Sequence, residues 1–355
     1  MKGFSTTMFG LGLSALAMLT LSHAARAQAP APAPLQVPAR SLPVPTTVSP
    51  QMQKIMGAPI GPNWNVVPKS GAEWKASADA GAARAIQNLP ALRERLHVRA
   101  EASTMDGGKV HIITPDNIPP ENRARVLIHI HGGCYVLNPG EAGTTEAIFM
   151  AGFGRFKVIS VDYRMPPESF FPAALDDVLT VWKAALKNTS PKNMAILGSS
   201  AGGALTLALV HRAKQLGLPL PAAIASGTPM ADLTKTGDSF HTNAMVDNIL
   251  VSSEGRCDAA AGYYANGHDL RDPLLSPVYG DMHGFPPTIL TTGTRDLLLS
   301  NTVRVHRKLR EAGVEAALQV FEGQAHGAYM RDDTAPESKA AFAEISEFFN
   351  RHLGK

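Results

Sequence analysis

A chain of 355 residues that is 45% hydrophobic and 18% charged has the material for a packed core, which excludes a disordered or fibrous protein. Its formal charge is +3, and removal of an expected leader holding Lys2, Arg26 and no acid takes that to +1. So balanced a chain offers no electrostatic footprint for nucleic acid or for an anionic membrane.

The leader comes first. Lys2 precedes an apolar run from Met8 to Leu21, and Ala25-Arg26-Ala27 places small residues where a signal peptidase reads. A membrane-crossing helix needs about 20 apolar residues, more than this run has. Residues 1–27 are therefore expected to be a signal peptide, which predicts a periplasmic or secreted protein with no stable membrane anchor. Residues 28–50, with Ala-Pro repeats from Ala29 to Pro34 and further prolines at 38, 43, 45 and 50, read as an extended linker.

From Gln51 to Leu96 the pattern is helical in pieces, with breaks expected at Pro59, Pro62, Pro68 and Pro90. Val98–Met105 and Lys109–Thr114 flank Asp106-Gly107-Gly108, a hairpin signal. Strands are then expected at Arg125–His131, Lys157–Tyr163, Asn193–Leu197, Ala222–Ser226, Thr288–Thr292 and Ala316–Phe321. Helices are expected at Pro172–Lys187, Ser200–Leu216, about Asn301–Ala312 and from Pro336, where Phe342, Ile345, Phe348 or Phe349, and Leu353 share one side. Strands alternating with helices predict an α/β fold, a mostly parallel sheet covered on both faces. Leu233 to Ala265 interrupts the alternation and reads as an insertion above the sheet.

Gly198-Ser199-Ser200-Ala201-Gly202 sits where a strand gives way to a helix, the setting of a nucleophile elbow. The string alone is weak; its place makes it informative. A Gly/Ser loop that merely lets the helix pack closely is the plain alternative. A serine hydroxyl needs a base, and His326 follows the last strand in a glycine-flanked loop, where a solvated loop histidine is the competing reading. An acid must orient the imidazole. Asp296 follows the strand Thr288–Thr292, with helix capping as its ordinary alternative and Asp232 as the second candidate acid. The order Ser200, Asp296, His326 is the order of this fold.

His131-Gly132-Gly133-Cys134 follows a buried strand, and the amides of Gly132, Gly133 and Ala201 are the expected oxyanion donors. His129 and His131 share a strand face, but no third ligand follows with sensible spacing, so no metal is assigned. Cys134 and Cys257 form neither a disulfide framework nor a zinc pattern. They could pair in an oxidising compartment, but free, mostly buried thiols are the expectation.

These pieces resemble the hormone-sensitive-lipase-like family of esterases, bacterial family IV. The matching residues are His131-Gly-Gly, Asp162-Tyr-Arg-Met-Pro-Pro-Glu168, Phe171-Pro-Ala-Ala-Leu-Asp-Asp177, Gly198-Ser-Ser-Ala-Gly-Gly203, Asp272-Pro-Leu-Leu-Ser-Pro277, the run from Pro286 to Asp296 and the His326 loop. The resemblance implies an eight-stranded α/β-hydrolase domain over 51–355, with a lid from about 51–96 and 233–265. It implies no cofactor, and a small-molecule ester of short to medium chain as substrate. Two residues depart from the family: Cys134 replaces a third glycine, and Ser199 replaces the acid that often precedes the nucleophile. A lactonase or an amidase or peptidase could use the same groups. A non-catalytic small-molecule receptor is the rival from another class, since plant gibberellin receptors resemble the family, but they have lost the catalytic histidine that His326 supplies here. Oligomeric state is left open.

Overall fold

In a computed structural model of the chain, residues 1–7 and 33–355 are described. The expected leader run Met8–Leu21, the site Ala25–Ala27 and the start of the Ala-Pro repeats lie outside them. The chain divides into residues 1–41 and 42–355. The described residues of the first unit hold no helix or strand. No helix among the described residues is long and apolar enough to cross a membrane.

The second unit opens with two helices, α1 (Pro50–Met56) and α2 (Gly71–Leu96). Helix α2 runs 26 residues straight through Pro90, where a break was expected. A proline inside a helix costs about 3 kcal/mol. The start of α2 is tied by Ser70 Oγ, which accepts the Glu73 N–H, and by Glu73, which accepts the Lys69 N–H. Its face of Trp74, Ala78, Ala82, Leu89 and Leu92 is buried, and that packing outweighs the proline.

Strands β1 (Val98–Met105) and β2 (Gly108–Pro115) form the expected hairpin, with Asp106 and Gly107 both at positive φ in the turn. Then follow β3 (Val126–Ile130), α3 (Thr145–Gly154), β4 (Lys157–Val161), α4 (Ala173–Leu186), β5 (Met194–Ser199), α5 (Ala201–Gln215) and β6 (Ala223–Gly227). The insertion supplies α6 (Ser239–Thr242) and α7 (Arg256–Ala265). The chain ends with β7 (Thr288–Gly293), α8 (Leu299–Glu311), β8 (Ala316–Phe321) and α9 (Pro336–His352). Helix α3 had no sequence signal: TEAIFMAGFG is apolar almost all round, so it shows no period, and it is correspondingly buried.

The eight strands pair in the order β1-β2-β4-β3-β5-β6-β7-β8, parallel from β4 onward. Alternation along each strand builds two cores. Ile128, Ile130, Ile196, Ile224 and Leu290 face α4, α5 and α8 through Leu175, Val178, Leu205, Leu209, Val305 and Leu309. Leu127, Val158, Leu197 and Ile289 face α3 and α9 through Ile148, Phe149, Phe342, Ile345, Phe348 and Phe349. Because β3 and β5 to β8 are parallel, their carboxyl ends open on one edge, where α/β sheets place their sites.

Candidate active site

The turn from β5 to α5 holds Ser200 at φ 61°, ψ −124°. A non-glycine residue there costs on the order of 1–3 kcal/mol and must be held by its surroundings. The Ser200 N–H donates to the Gly227 carbonyl at 2.9 Å, and its own carbonyl accepts the N–H groups of Ala204 and Met230 at 3.0 Å each. The flanking glycines are obligatory on steric grounds. A Cβ on Gly202 would stand 1.9 Å from the Ile130 carbonyl oxygen, and one on Gly198 2.4 Å from it.

The loop after β3 is oriented one peptide at a time. Tyr163 donates its hydroxyl to the His131 carbonyl at 2.9 Å. The N–H of a trans peptide points opposite to its C=O, so this bond turns the Gly132 N–H the other way. The next carbonyl, of Gly132, accepts from Asn138 Nδ2 at 3.1 Å and from its neighbour His131 Nδ1 at 2.9 Å, which does the same for the Gly133 N–H. Gly133 itself sits at φ 122°, and a Cβ there would meet the Leu137 carbonyl at 2.5 Å. Among the described residues, the amides of Gly132, Gly133 and Ala201 donate to no protein group. Burial lowers the His131 imidazole to about 4, so at neutral pH the ring is uncharged, stacked 4.1 Å from Tyr163.

His326 Nδ1 lies 3.0 Å from Asp296 Oδ1 and also contacts the Thr228 hydroxyl. Asp296 is fully buried, which by itself pushes its carboxyl up. The neighbouring imidazole, the Leu298 N–H and the Thr292 hydroxyl outweigh burial and hold it below the usual carboxylate range. Asn243 Nδ2 pins the Asp296 carbonyl at 2.8 Å. Ser200 and His326 line one cavity of about 520 Å³ with Gly132 and Gly133. Neither Ser200 Oγ nor His326 Nε2 hydrogen-bonds a protein group among the described residues. Such bonds are often long until substrate binds.

Beneath the nucleophile runs a buried polar chain. Ser199 Oγ donates to Glu146 Oε1 at 2.6 Å. Its proton is then spent, so the Tyr329 hydroxyl, 2.6 Å away, must be the donor to Ser199. Burial keeps that phenol well above its usual value and protonated. Glu146 Oε2 meets His129 Nε2 at 3.2 Å, and His129 Nδ1 meets Ser160 Oγ at 2.9 Å. The carboxylate missing at position 199 is thus supplied by α3. The chain ties the elbow to the turn three residues after His326.

Several expectations change here. Cys134 and Cys257 form a disulfide across 123 residues, joining the loop after β3 to α7, where free thiols were expected. Both half-cystines line the cavity. Asp232, the second candidate acid, is turned away into Arg304, Thr234, Thr236 and Tyr279. His129 is committed at both ring nitrogens, to Ser160 and Glu146, whereas His131 is bonded at Nδ1 alone and its buried Nε2 has no hydrogen-bond partner among the described residues. Sequence reasoning missed Glu146, Tyr163, Tyr329 and Asp247, which act through contacts that no local spacing announces. Tyr163 lay inside the matched Asp162-Tyr-Arg motif, and that was its only signal.

A family profile described as alpha/beta hydrolase fold matches residues 127–330. An esterase of Acinetobacter venetianus is 33% identical over 227 residues, 63% of this chain and 74% of its own length. An acetyl-hydrolase of Streptomyces hygroscopicus is 29% identical over 238 residues, 67% of this chain and 79% of its own length. Among solved structures, an esterase aligns with a TM-score of 0.87 at 45% identity, covering 90% of this chain and 99% of that one. An esterase from the bacterial hormone-sensitive lipase family aligns at 0.72 and 27%, covering 86% and 99%.

Proposed function

The chain belongs to the α/β-hydrolase family, in its hormone-sensitive-lipase-like branch of esterases, and on that premise we propose a serine carboxylic-ester hydrolase that works through an acyl-enzyme on short- to medium-chain esters. Ser200 Oγ attacks the ester carbonyl as His326 Nε2 takes its proton. Asp296, holding Nδ1–H, stabilises the imidazolium. The oxyanion rests on the amides of Gly132, Gly133 and Ala201, a contribution of about 3–4 kcal/mol per donor. His326 returns the proton to the departing alkoxide. Water, deprotonated by the same ring, then attacks the acyl-enzyme and releases the acid and Ser200.

The observation that carries this reading is the coincidence, on one cavity wall, of a strained serine, a carboxylate-backed histidine and glycine amides with no protein partner among the described residues. Ser200→Ala should lower kcat on p-nitrophenyl butyrate by several orders of magnitude, and a fluorophosphonate probe should label the wild type at Ser200 only. Near wild-type turnover by the folded variant would defeat the scheme. An ester series of rising acyl length, with lactones and anilides beside it, tests the substrate class.

Trp64 and Ala85 from the N-terminal segment, and Ile249 and Leu250 from the insertion, line the same cavity, which supports a lid made of both. We also read the protein as exported. The Cys134–Cys257 disulfide favours an oxidising compartment, and loss of the first 27 residues on export is the result to look for by mass spectrometry.

A further inference from the structure

Two arginines stand on the wall of the catalytic cavity, and neither makes an ion pair among the described residues. Arg256, the first residue of α7, and Arg331, five residues beyond His326, both line it. Arg256 lies 5.7 Å over the Trp74 ring and hydrogen-bonds the Ser77 hydroxyl, while its buried Nε has no partner. A ring face and a neutral hydroxyl satisfy its shape, not its charge. Burial lowers the Arg256 pKa, Arg84 pushes it the same way, and no anion opposes them. Glu146, the one acidic side chain on the cavity wall, is occupied by Ser199 and His129 in the floor.

A partly desolvated cation without a counter-ion is a cost the fold carries unless an anion relieves it. The guanidinium fork offers paired N–H donors whose spacing suits a carboxylate, and a second arginine on the same wall, Arg331, with Asp247 near enough to act on its charge but in no ion pair with it, raises the local concentration of anions.

We propose that this cavity selects esters bearing a carboxylate on the substrate arm that reaches Arg256, with Arg331 drawing the anion in. The inference rests on the ester-hydrolase reading above and names the substrate class of that site. Either the acyl or the alcohol arm can carry the anion, so each is probed against a neutral counterpart.

The test uses the full chain with two pairs of substrates. On the acyl side, mono-p-nitrophenyl glutarate is compared with p-nitrophenyl valerate. On the alcohol side, the butyrate ester of 4-hydroxybenzoate is compared with that of methyl 4-hydroxybenzoate. In one pair the anionic ester should have at least tenfold the kcat/KM of the neutral one at low salt. That advantage should shrink as sodium chloride is added, while the neutral ester's rate stays flat. Arg256→Gln should cut the anionic-to-neutral ratio tenfold or more, and Arg256→Lys should keep part of it. The salt dependence of the wild type, with Arg331→Gln beside it, decides the matter should the Arg256 variants melt early. Anionic esters no better than neutral ones in both pairs, or an advantage untouched by Arg256→Gln in a folded protein, would overturn the proposal. Failure of the folded wild type on all four esters would count against the hydrolase reading itself.

Discussion

Asp247 accepts the backbone N–H of His326 at 3.2 Å through the same oxygen, Oδ2, that accepts the Leu297 N–H at 2.8 Å. Leu297 follows Asp296, so one carboxylate oxygen joins the loop of the acid to the loop of the base. The other oxygen takes the N–H groups of Ile249 and Leu250 at 2.8 and 3.1 Å, and those two residues line the cavity. Burial and the nearby Asp296 push the Asp247 carboxyl up. Four N–H donors nevertheless leave a carboxyl proton no acceptor, which favours the ionised form. The insertion thereby holds both catalytic loops in register.

Asp247→Ala strands those four donors, at about 1–3 kcal/mol for each that stays buried and unpaired, and frees both loops. A displacement near 1 Å is enough to cost about 10²-fold in rate. The expected result is a kcat about 10²-fold lower, a KM changed far less and an earlier melt. Wild-type kcat from the folded variant would contradict the positioning role.

The oxyanion loop gives a second, graded expectation. Tyr163→Phe removes the donor that turns the Gly132 N–H, and should lower kcat roughly tenfold while KM holds, a loss of about 1.4 kcal/mol. Gly133→Ala puts a Cβ against the Leu137 carbonyl at a φ that side chains rarely adopt, and should be far worse. Steady-state kinetics on one neutral ester rank the two, and the reverse order would count against the peptide-by-peptide account.

The disulfide closes a long loop, its two cysteines standing 123 positions apart in sequence. Cross-links of that span stabilise by about 3–5 kcal/mol, mainly by restricting the unfolded chain. Cys134→Ala with Cys257→Ala should lower the midpoint of guanidinium unfolding, and reductant should do the same to the wild type alone. A midpoint insensitive to both would show that the loop is held without the bond.

Buried histidines set an acid limit on stability. Burial holds His211 at about 4, below the ordinary 6.5, and His131 likewise at about 4. Each unfolded imidazole therefore binds a proton between pH 6.5 and 4 that the folded one refuses. The stability they contribute is complete above pH 6.5 and is lost as pH falls towards 4, on the order of 3 kcal/mol apiece. His211, which lies on α5 and bonds the Pro277 carbonyl, is remote from Ser200 and makes the cleaner test. His211→Gln should flatten the fall in melting temperature between pH 6.5 and 4.5, and an unchanged slope would exclude His211 as a source.

Much of this protein was legible in the linear chain, because what was legible is local. The β1–β2 hairpin follows from Asp106-Gly107 between two alternating runs, and β8 from Ala316–Phe321. The elbow follows from the local pattern of two glycines around Ser200 at a strand-to-helix junction, although the carbonyl that demands them, Ile130 on β3, comes from far away in the chain. The tertiary structure alone decided what depends on distant pairs. That Cys134 meets Cys257, that Asp247 clasps the loops of Asp296 and His326, and that Glu146 supplies the carboxylate absent at 199 are all contacts across tens of residues. No periodicity records them. The passage of α2 through Pro90 belongs with these, because the local penalty was known and only the packing of Leu89 and Leu92 could say that it would be overcome.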